Sequence, residues 1–286
     1  MVPSADHAVE VFNTAAEENH MDPFRREQVV VLPGEGELWM TGDLHDHRRN
    51  FDKLVRLSQL SRHPHRHLVL HEIIHGDHFD QDGAEDSWHM LYRAAELKCD
   101  HPQQVHFLLA NHDLAQIQGE GIMKGGLSVC EAFTRGVKKQ FNTESPKVNV
   151  AITEFLLSLP LAVRTLHGVF CCHSLPTDAE VDGFDYGVFD RALSGPDYAR
   201  KTGPVYQLIW GRNYSPAAAT KFAQTVGAQV IITGHQPQEQ GYYVNGPNNL
   251  ILASEHNQGV FLPIKLNLSY DMPRLTKHLR RFVAVE

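Results

Sequence analysis

Short apolar runs of strand length recur along the chain at Gln28 to Leu32, Glu37 to Thr41, His67 to Ile74, Val105 to Leu109, Val169 to Cys172, Val230 to Thr233 and Leu250 to Ala253. Several are rich in β-branched residues, which suit pleated, buried backbone. Between them, apolar positions recur at helical spacing over Arg49 to Leu60, Glu85 to Lys98, Leu127 to Gln140, Val148 to Ser158 and Pro216 to Val226. Strands alternating with helices predict an α/β fold in which helices cover the faces of a sheet. No internal repeat, low-complexity tract or long Gly/Ser linker divides the sequence, so the simplest organisation is a polar N-terminal extension over 1–28 and one domain over 29–286. A helical insertion is expected around 116–165. Its glycines, Gly119, Gly121, Gly125 and Gly126, do not form the Gly-x-Gly-x-x-Gly pattern of a cofactor loop, and Phe133 and Phe141 supply packing for a cap.

Polar clusters stand immediately after five of the apolar runs. GDLHDH follows LWMT, GDHFD follows EIIH, NHD follows HFLLA, HS follows VFCC, and GHQP follows VIIT. Loops beyond the carboxyl ends of strands are where α/β folds build ligand sites, so the five clusters are expected to converge. Asp43 and His45 stand two apart, which in extended backbone puts both on one side, where they can bind one cation together. Asp77 offers a carboxylate whose two oxygens can bridge two cations. Asn111 adds a neutral oxygen ligand, His112 a candidate acid for a leaving oxygen, and His173 and His235 two more imidazoles. This donor set lacks thiolates and suits Mn, Fe or Zn in a catalytic rather than a structural site. Two such cations roughly 3.5 to 4 Å apart polarise a phosphoryl group and ionise a water between them.

Composition narrows the classes. The 286 residues are 42 % apolar, enough to bury a large core. The formal charge of −8, with Lys and Arg scattered, gives no footprint for nucleic acid or an anionic membrane. Nowhere do eighteen apolar residues run together and the N-terminus has no basic start, so no membrane span or signal peptide is expected and a cytoplasmic protein is the default. Cys99, Cys130, Cys171 and Cys172 form no C-x-x-C pair and read as small buried hydrophobes. The 19 histidines supply neutral ligands and proton carriers rather than fixed charge, and the His63, His65, His67 run reads as a solvated face.

The ordered set GD-x-H, GD-x-x-D, NHD, a strand ending in CHS, and GHQP resembles the calcineurin-like metallophosphoesterase superfamily, and within it the serine/threonine protein phosphatase-like branch. The resemblance spans roughly Glu37 to Pro263 and includes the stretch Phe155 to Ala162 and Leu208-Ile209-Trp210-Gly211-Arg212. It implies two mixed sheets packed as a sandwich flanked by helices, with two metal ions at one rim. By that likeness Asp43 and His45 hold the first metal, Asp77 bridges, and Asn111, His173 and His235 complete the second. His112 protonates the leaving oxygen, Asp80 orients that imidazole, and Arg212 clamps phosphate oxygens through its planar fork.

The chain departs from that pattern in several places. Gln81 stands where these phosphatases carry a phosphate-binding arginine, and Asp82 beside it repels a dianion. Arg48 or Arg49 is a candidate replacement. Asp46 and Ala110 each replace a usual glycine, the first adding negative charge near the metals. The region from Thr177 to Lys201, with Phe184, Tyr186, Phe189 and Tyr198, either lines a substrate groove or packs beneath a loop. The leading expectation is an enzyme that hydrolyses a phosphate ester, on a small molecule or phosphoprotein, with a bridging metal hydroxide and no organic cofactor. Nucleotide, dinucleoside polyphosphate or phosphodiester hydrolysis on the same site is the alternative within enzymes. A non-catalytic metal- or phosphate-binding interaction protein is the alternative outside them.

Overall fold

The computed structural model describes residues 3–119, 122–124 and 126–285; Gly121 and Gly125 of the insertion lie outside them. Chain order runs from α1 (Ala5–His20) through β1 (Arg25–Arg26), β2 (Val29–Leu32), β3 (Glu37–Asp43) and α2 (Arg48–Ser58) to β4 (Arg66–His71). There follow α3 (Trp88–Asp100), β5 (Val105–Leu108), α4 (Asn111–Gln118), a hairpin of β6 (Met123–Lys124) and β7 (Leu127–Ser128), α5 (Val129–Phe141) and α6 (Ser145–Leu157). The second half contains β8 (Ala162–Thr165), β9 (Val169–Cys172), α7 (Pro204–Trp210), α8 (Pro216–Thr225), β10 (Val230–Thr233), β11 (Tyr242–Asn245) and β12 (Asn249–Leu252). It closes with β13 (Val260–Lys265), α9 (Met272–Thr276) and β14 (Arg280–Arg281).

The strands form two mixed sheets, ordered β1-β2-β8-β9-β10-β12-β11 and β14-β13-β3-β4-β5. Their side-chain alternation explains the layering. Val69 of β4 joins Leu38, Met40, Val169, Cys171, Val230, Ile232, Leu250 and Leu252 in one buried cluster between the sheets. Its neighbours Leu68 and Leu70 face the other way, into a cluster with Phe12, Leu91 and Phe155 from the helices. On the second sheet Phe170 and Ile231 likewise point outward, onto Phe189 and Phe222. Each central strand is thus apolar on both faces, and the expected sandwich of two mixed sheets between helical layers is what the chain forms.

Residues 5–20 are not a polar extension. Ser4 caps α1 by accepting from the His7 amide at 3.2 Å, and the helix buries Ala8, Val11, Phe12 and Ala15. Phe12 meets Tyr92 of α3 and Phe155 of α6 at centroid separations of 6.1 and 5.8 Å, and a buried Phe stabilises by roughly 1.5 to 3 kcal/mol. The apolar stripe is made mostly of alanine, which is why the segment reads as polar. The expected insertion is occupied by the end of α4, the β6–β7 hairpin, α5 and α6, with α6 lying against α1.

The two sheets are bridged at the carboxyl end of β3, where Asp43 makes an isolated parallel bridge to Ala253. A Cβ on Gly42 would lie 2.1 Å from the Leu252 carbonyl oxygen, so only glycine permits this approach. The Gly42 amide donates to Ser254 Oγ at 3.0 Å, joining the rim of one sheet to the other.

Candidate metal centre

Five loops meet at this rim, and their backbones are unusual. His45, Asp46, Glu72, His75 and His235 all have positive φ, at 42, 56, 36, 65 and 67°. For residues with a Cβ this costs on the order of 1 kcal/mol or more each, so surrounding contacts must hold them. The amides of Leu44 and His45 donate to the Glu72 carbonyl at 3.0 and 2.9 Å, and the Asp46 amide donates to Ile73 at 2.8 Å. The loops after β3 and β4 are zipped together in this way. The His235 amide donates to both Asp43 oxygens at 3.0 and 2.9 Å. Gly234 packs against them so closely that a Cβ would lie 2.3 Å from Asp43 Oδ1.

Inside this frame, His173 Nε2 lies 2.7 Å from Asn111 Oδ1 and 3.1 Å from His235 Nδ1. The same nitrogen is 3.8 Å from Glu72 Oε2, which is 3.4 Å from His45 Nε2. His173 Nδ1 faces His71 Nε2 at 2.8 Å and Asp43 Oδ1 at 3.9 Å. Three groups have donor atoms mutually close enough to hold a metal ion: Asp43 with His71 and His173, His45 with Glu72 and His112, and Glu72 with His173 and His235. Glu72 and His173 each belong to two of them, so the groups form one continuous cluster.

The electrostatics match a cation site. Burial pushes the Asp43 carboxyl up, and nearby Glu255 pushes it further. Burial, then the charge of adjacent Asp43, pushes Glu72 well up. Two buried carboxylates against each other are costly unless a proton or a cation lies between them. Burial also holds His71 down at about 3 and drives His173 and His235 well down, leaving neutral imidazoles of the kind that ligate metals. His71 Nδ1 is a buried nitrogen without a hydrogen-bond partner among the described residues, 3.8 Å from Asp43 Oδ1. The residues present therefore fit a metal ion: paired acid, neutral nitrogen and amide oxygen, buried and preorganised.

Of the residues expected from the sequence, Asp43, His45, Asn111, His112, His173 and His235 come together here. Two do not. Asp77 is exposed and belongs to none of the three groups. Asp80 is also exposed; its oxygens bind Lys139 Nζ at 2.6 Å and cap the amides of Asp82 and Ala84 at 2.9 Å, away from His112. The physical reason is that β4 ends at His71 rather than at Ile74. Ile73 and Ile74 are apolar because they are buried in the helix-side core, not because the strand continues. The carboxylate that follows the true strand end is Glu72, and its positive φ turns it into the cluster. Glu72, His71 and His75 were thus missed, although a buried acid directly after Leu68-Val69-Leu70-His71 was a visible signal.

The cationic side is thin. Arg212 Nε donates to His235 Nε2 at 2.9 Å from an exposed position at the rim. Arg48 forks onto Asp46, at 3.0 Å to each oxygen, and reaches Asp86 Oδ1 at 2.6 Å. Arg49, Gln81 and Asp82 are exposed. Beside Arg48 lies a cavity of about 630 Å³ lined by Phe79, Trp88, His89 and Lys139 among others. Phe184 and Phe189 of the 177–201 region are buried against Phe222 and serve packing.

A rim of carboxylates and imidazoles on a two-sheet sandwich is an arrangement that could hold metal ions. The family model for calcineurin-like phosphoesterases matches residues 37–239, and the chain belongs to that family of phosphoric ester hydrolases. Among solved structures, a protein serine/threonine phosphatase from Saccharomyces cerevisiae, described as similar to human phosphatase PP5, is 13 % identical with a TM-score of 0.66, over 92 % of this chain and 83 % of its own. The cold-active protein-tyrosine phosphatase of a psychrophilic Shewanella species is 14 % identical with a TM-score of 0.52, over 83 % of this chain and 77 % of its own. At this identity the likeness is one of fold. No curated protein matches. Among the described residues no helix is long and apolar enough to cross a membrane.

Proposed function

We propose that the chain hydrolyses a phosphate ester at a two-metal site in which Glu72, not Asp77, supplies the shared carboxylate. The observation that carries this reading is the buried contact of Glu72 and Asp43 amid His45, Asn111, His173 and His235. Asp43, His45 and Glu72 would hold one ion; Glu72, Asn111, His173 and His235 would hold the other. Mn, Fe or Zn ions there supply Lewis acidity toward phosphoryl oxygens and lower the pKa of water. The protein's own part is orientation and proton delivery. The His112 ring stands edge-on to His45 at 4.8 Å, and its amide is fixed by Glu72 Oε1 at 3.0 Å, so it is placed to protonate a leaving oxygen. Arg212, steadied by His235, supplies a cationic fork at the rim.

The fold likeness to two protein phosphatases favours a phosphomonoester substrate. A phosphodiester or dinucleoside polyphosphate is the second reading, and the thin cationic side supports it. Arg48 is already tied to two carboxylates, which leaves little counter-charge for a monoester dianion. The test is turnover of an aryl phosphate, a bis-aryl phosphodiester and a dinucleoside tetraphosphate by chelator-stripped protein with Mn added back. Metal-dependent turnover of one class above the others identifies the substrate. A folded protein without metal-dependent turnover of any overturns the reading.

A further inference from the structure

His112 is oriented by another histidine instead of by Asp80. His112 Nδ1 lies 2.9 Å from His75 Nδ1, and His75 Nε2 lies 3.0 Å from Gln116 Oε1. The Gln116 amide nitrogen is 3.3 Å from Thr134 Oγ1, and that hydroxyl donates to the Cys130 carbonyl at 2.9 Å. These contacts form a chain whose direction follows from its far end. A backbone carbonyl only accepts, so Thr134 spends its hydrogen on Cys130, and its oxygen accepts from the Gln116 NH2 group. That fixes which way the amide points and turns Gln116 Oε1, also an acceptor, toward His75. A neutral His75 must then carry its hydrogen on Nε2 and present a lone pair at Nδ1. Facing that lone pair, His112 must carry a hydrogen on Nδ1.

We propose that His75 is a positioning residue that fixes His112 as its Nδ1–H tautomer, leaving Nε2 as the nitrogen that delivers a proton. The proposal rests on the reading of His112 as the proton donor. In that step the bond from phosphorus to the leaving oxygen breaks with its electron pair on oxygen, and that oxygen takes the proton from His112 Nε2. The ring is left neutral with its other hydrogen still on Nδ1 and bonded to His75. A water oxygen forms the new bond to phosphorus and releases its proton to solvent, from which His112 Nε2 is reprotonated.

His75 is built to hold still. It is fully buried, its amide donates to Ser87 Oγ at 3.0 Å, Ser87 Oγ donates to Glu85 at 2.8 Å, and its ring stands edge-on to Phe133 at 5.7 Å. These contacts offset a φ of +65°. An imidazole gives direction without charge. A carboxylate in its place would add another acid to a cluster where burial, Asp43 and Asp113 already push Glu72 up.

The test compares an alkyl phosphate, whose leaving oxygen needs a proton, with 2,4-dinitrophenyl phosphate, whose leaving oxygen does not, using the Mn-loaded protein. His75→Phe is expected to lower kcat for the alkyl ester by about 100-fold and for the activated ester by less than about 3-fold, with KM unchanged. His75→Asn, which keeps an acceptor, is expected to restore most of the loss. The double variant with His112→Gln should be no slower than His112→Gln alone. Equal losses on both esters, or losses that multiply in the double variant, would overturn the proposal. Two-bond ¹⁵N–¹H correlations on the zinc-loaded protein read the tautomers without turnover. Hydrogen on His112 Nδ1 and His75 Nε2 supports the proposal, and the reverse assignment defeats it. If no ester is turned over at all, the phosphoesterase reading fails by itself and the tautomers still decide this one.

Discussion

Strands β4 and β5 carry a buried histidine cluster near each end, and the two ends differ in how their charge is balanced. At the amino end, His67 is buried rather than on the solvated face expected for it, its Nδ1 lies 3.1 Å from His106 Nε2, and His106 Nδ1 lies 3.0 Å from Asp22 Oδ2. Lys98, fully buried, stands 3.6 Å from the same oxygen and donates to the carbonyls of Pro102 and Val105 at 2.6 and 3.0 Å. One carboxylate faces one ammonium, and the network closes on itself. At the carboxyl end, Asp43 and Glu72 stand among neutral imidazoles, Asn111 and two further acids, Asp113 and Glu255, with exposed Arg212 as a partial counter-charge, and the surrounding backbone is strained. Residue types alone do not separate these clusters, since both are acid plus histidine. What separates them is whether the charge is compensated by the chain: a balanced cluster holds the fold together, and an unbalanced one is poised for a cation.

The sharpest way to break this comparison is at Glu72. Glu72→Gln keeps the shape but removes the shared charge. It should lower kcat on the order of 1,000-fold, the several kcal/mol that metal chemistry supplies, with bound metal falling by elemental analysis. Asp77→Asn should leave both within about 2-fold, as expected of a surface change away from the chemistry. If the two variants exchange phenotypes, the assignment of the shared carboxylate is wrong.

The amino-end cluster should respond oppositely. Asp22→Ala leaves Lys98 buried without its counter-charge and should destabilise the fold by about 3 kcal/mol in urea unfolding. Metal content and kcat of the folded fraction should not change. A drop in kcat at constant folded fraction would mean that the two ends are coupled rather than separate.

A smaller effect comes from pH. Burial, and then the neighbouring His106, hold His67 down at about 3. Between about 6.5 and 3 the unfolded chain binds a proton there that the folded chain does not, so stability is full above 6.5 and falls on acidification, by about 1.4 kcal/mol per pH unit. Asp22 has the same sign in a lower window. Burial raises its carboxyl, but His106 and Lys98 more than reverse that, so its contribution is present above the usual carboxylate range and lost as pH falls through the depressed value. Between pH 6.5 and 5 the native chain should lose about 2 kcal/mol more than His67→Asn, measured by urea midpoints at each pH. Parallel pH profiles would remove His67 from the account.

Much of this was legible in the sequence where periodicity and function coincide. Strands β9 and β10 begin and end where their apolar runs do, because each stops at the first polar ligand loop. The Asp43, His45, Asn111, His173 and His235 positions follow from the same rule. Legibility fails where two causes produce one pattern. Ile73 and Ile74 look like strand but pack as loop, and so displaced the acid assignment from Glu72 to Asp77. In α1 alanine hides an amphipathic helix. Strand β13 contains Pro263, which usually argues against a strand. It is tolerated because β14 pairs only with Val260 and Phe261, leaving that side of β13 open at the proline. His75 gave no signal, since its role depends on Gln116 and Thr134 from two other helices.

The docking of α1 also sets a schedule for synthesis. Asn19 hydrogen-bonds Ser158 across 139 residues of sequence, and Phe12 lies against Phe155. At roughly 5 to 20 residues per second a ribosome needs about 7 to 28 s to make that stretch. For that interval the nascent helix lacks the α6 side of its receptor, and α3, which also covers Phe12, is the part made first. The abundance of alanine along its inner face makes that wait safer, because little other sticky surface is exposed until α6 arrives.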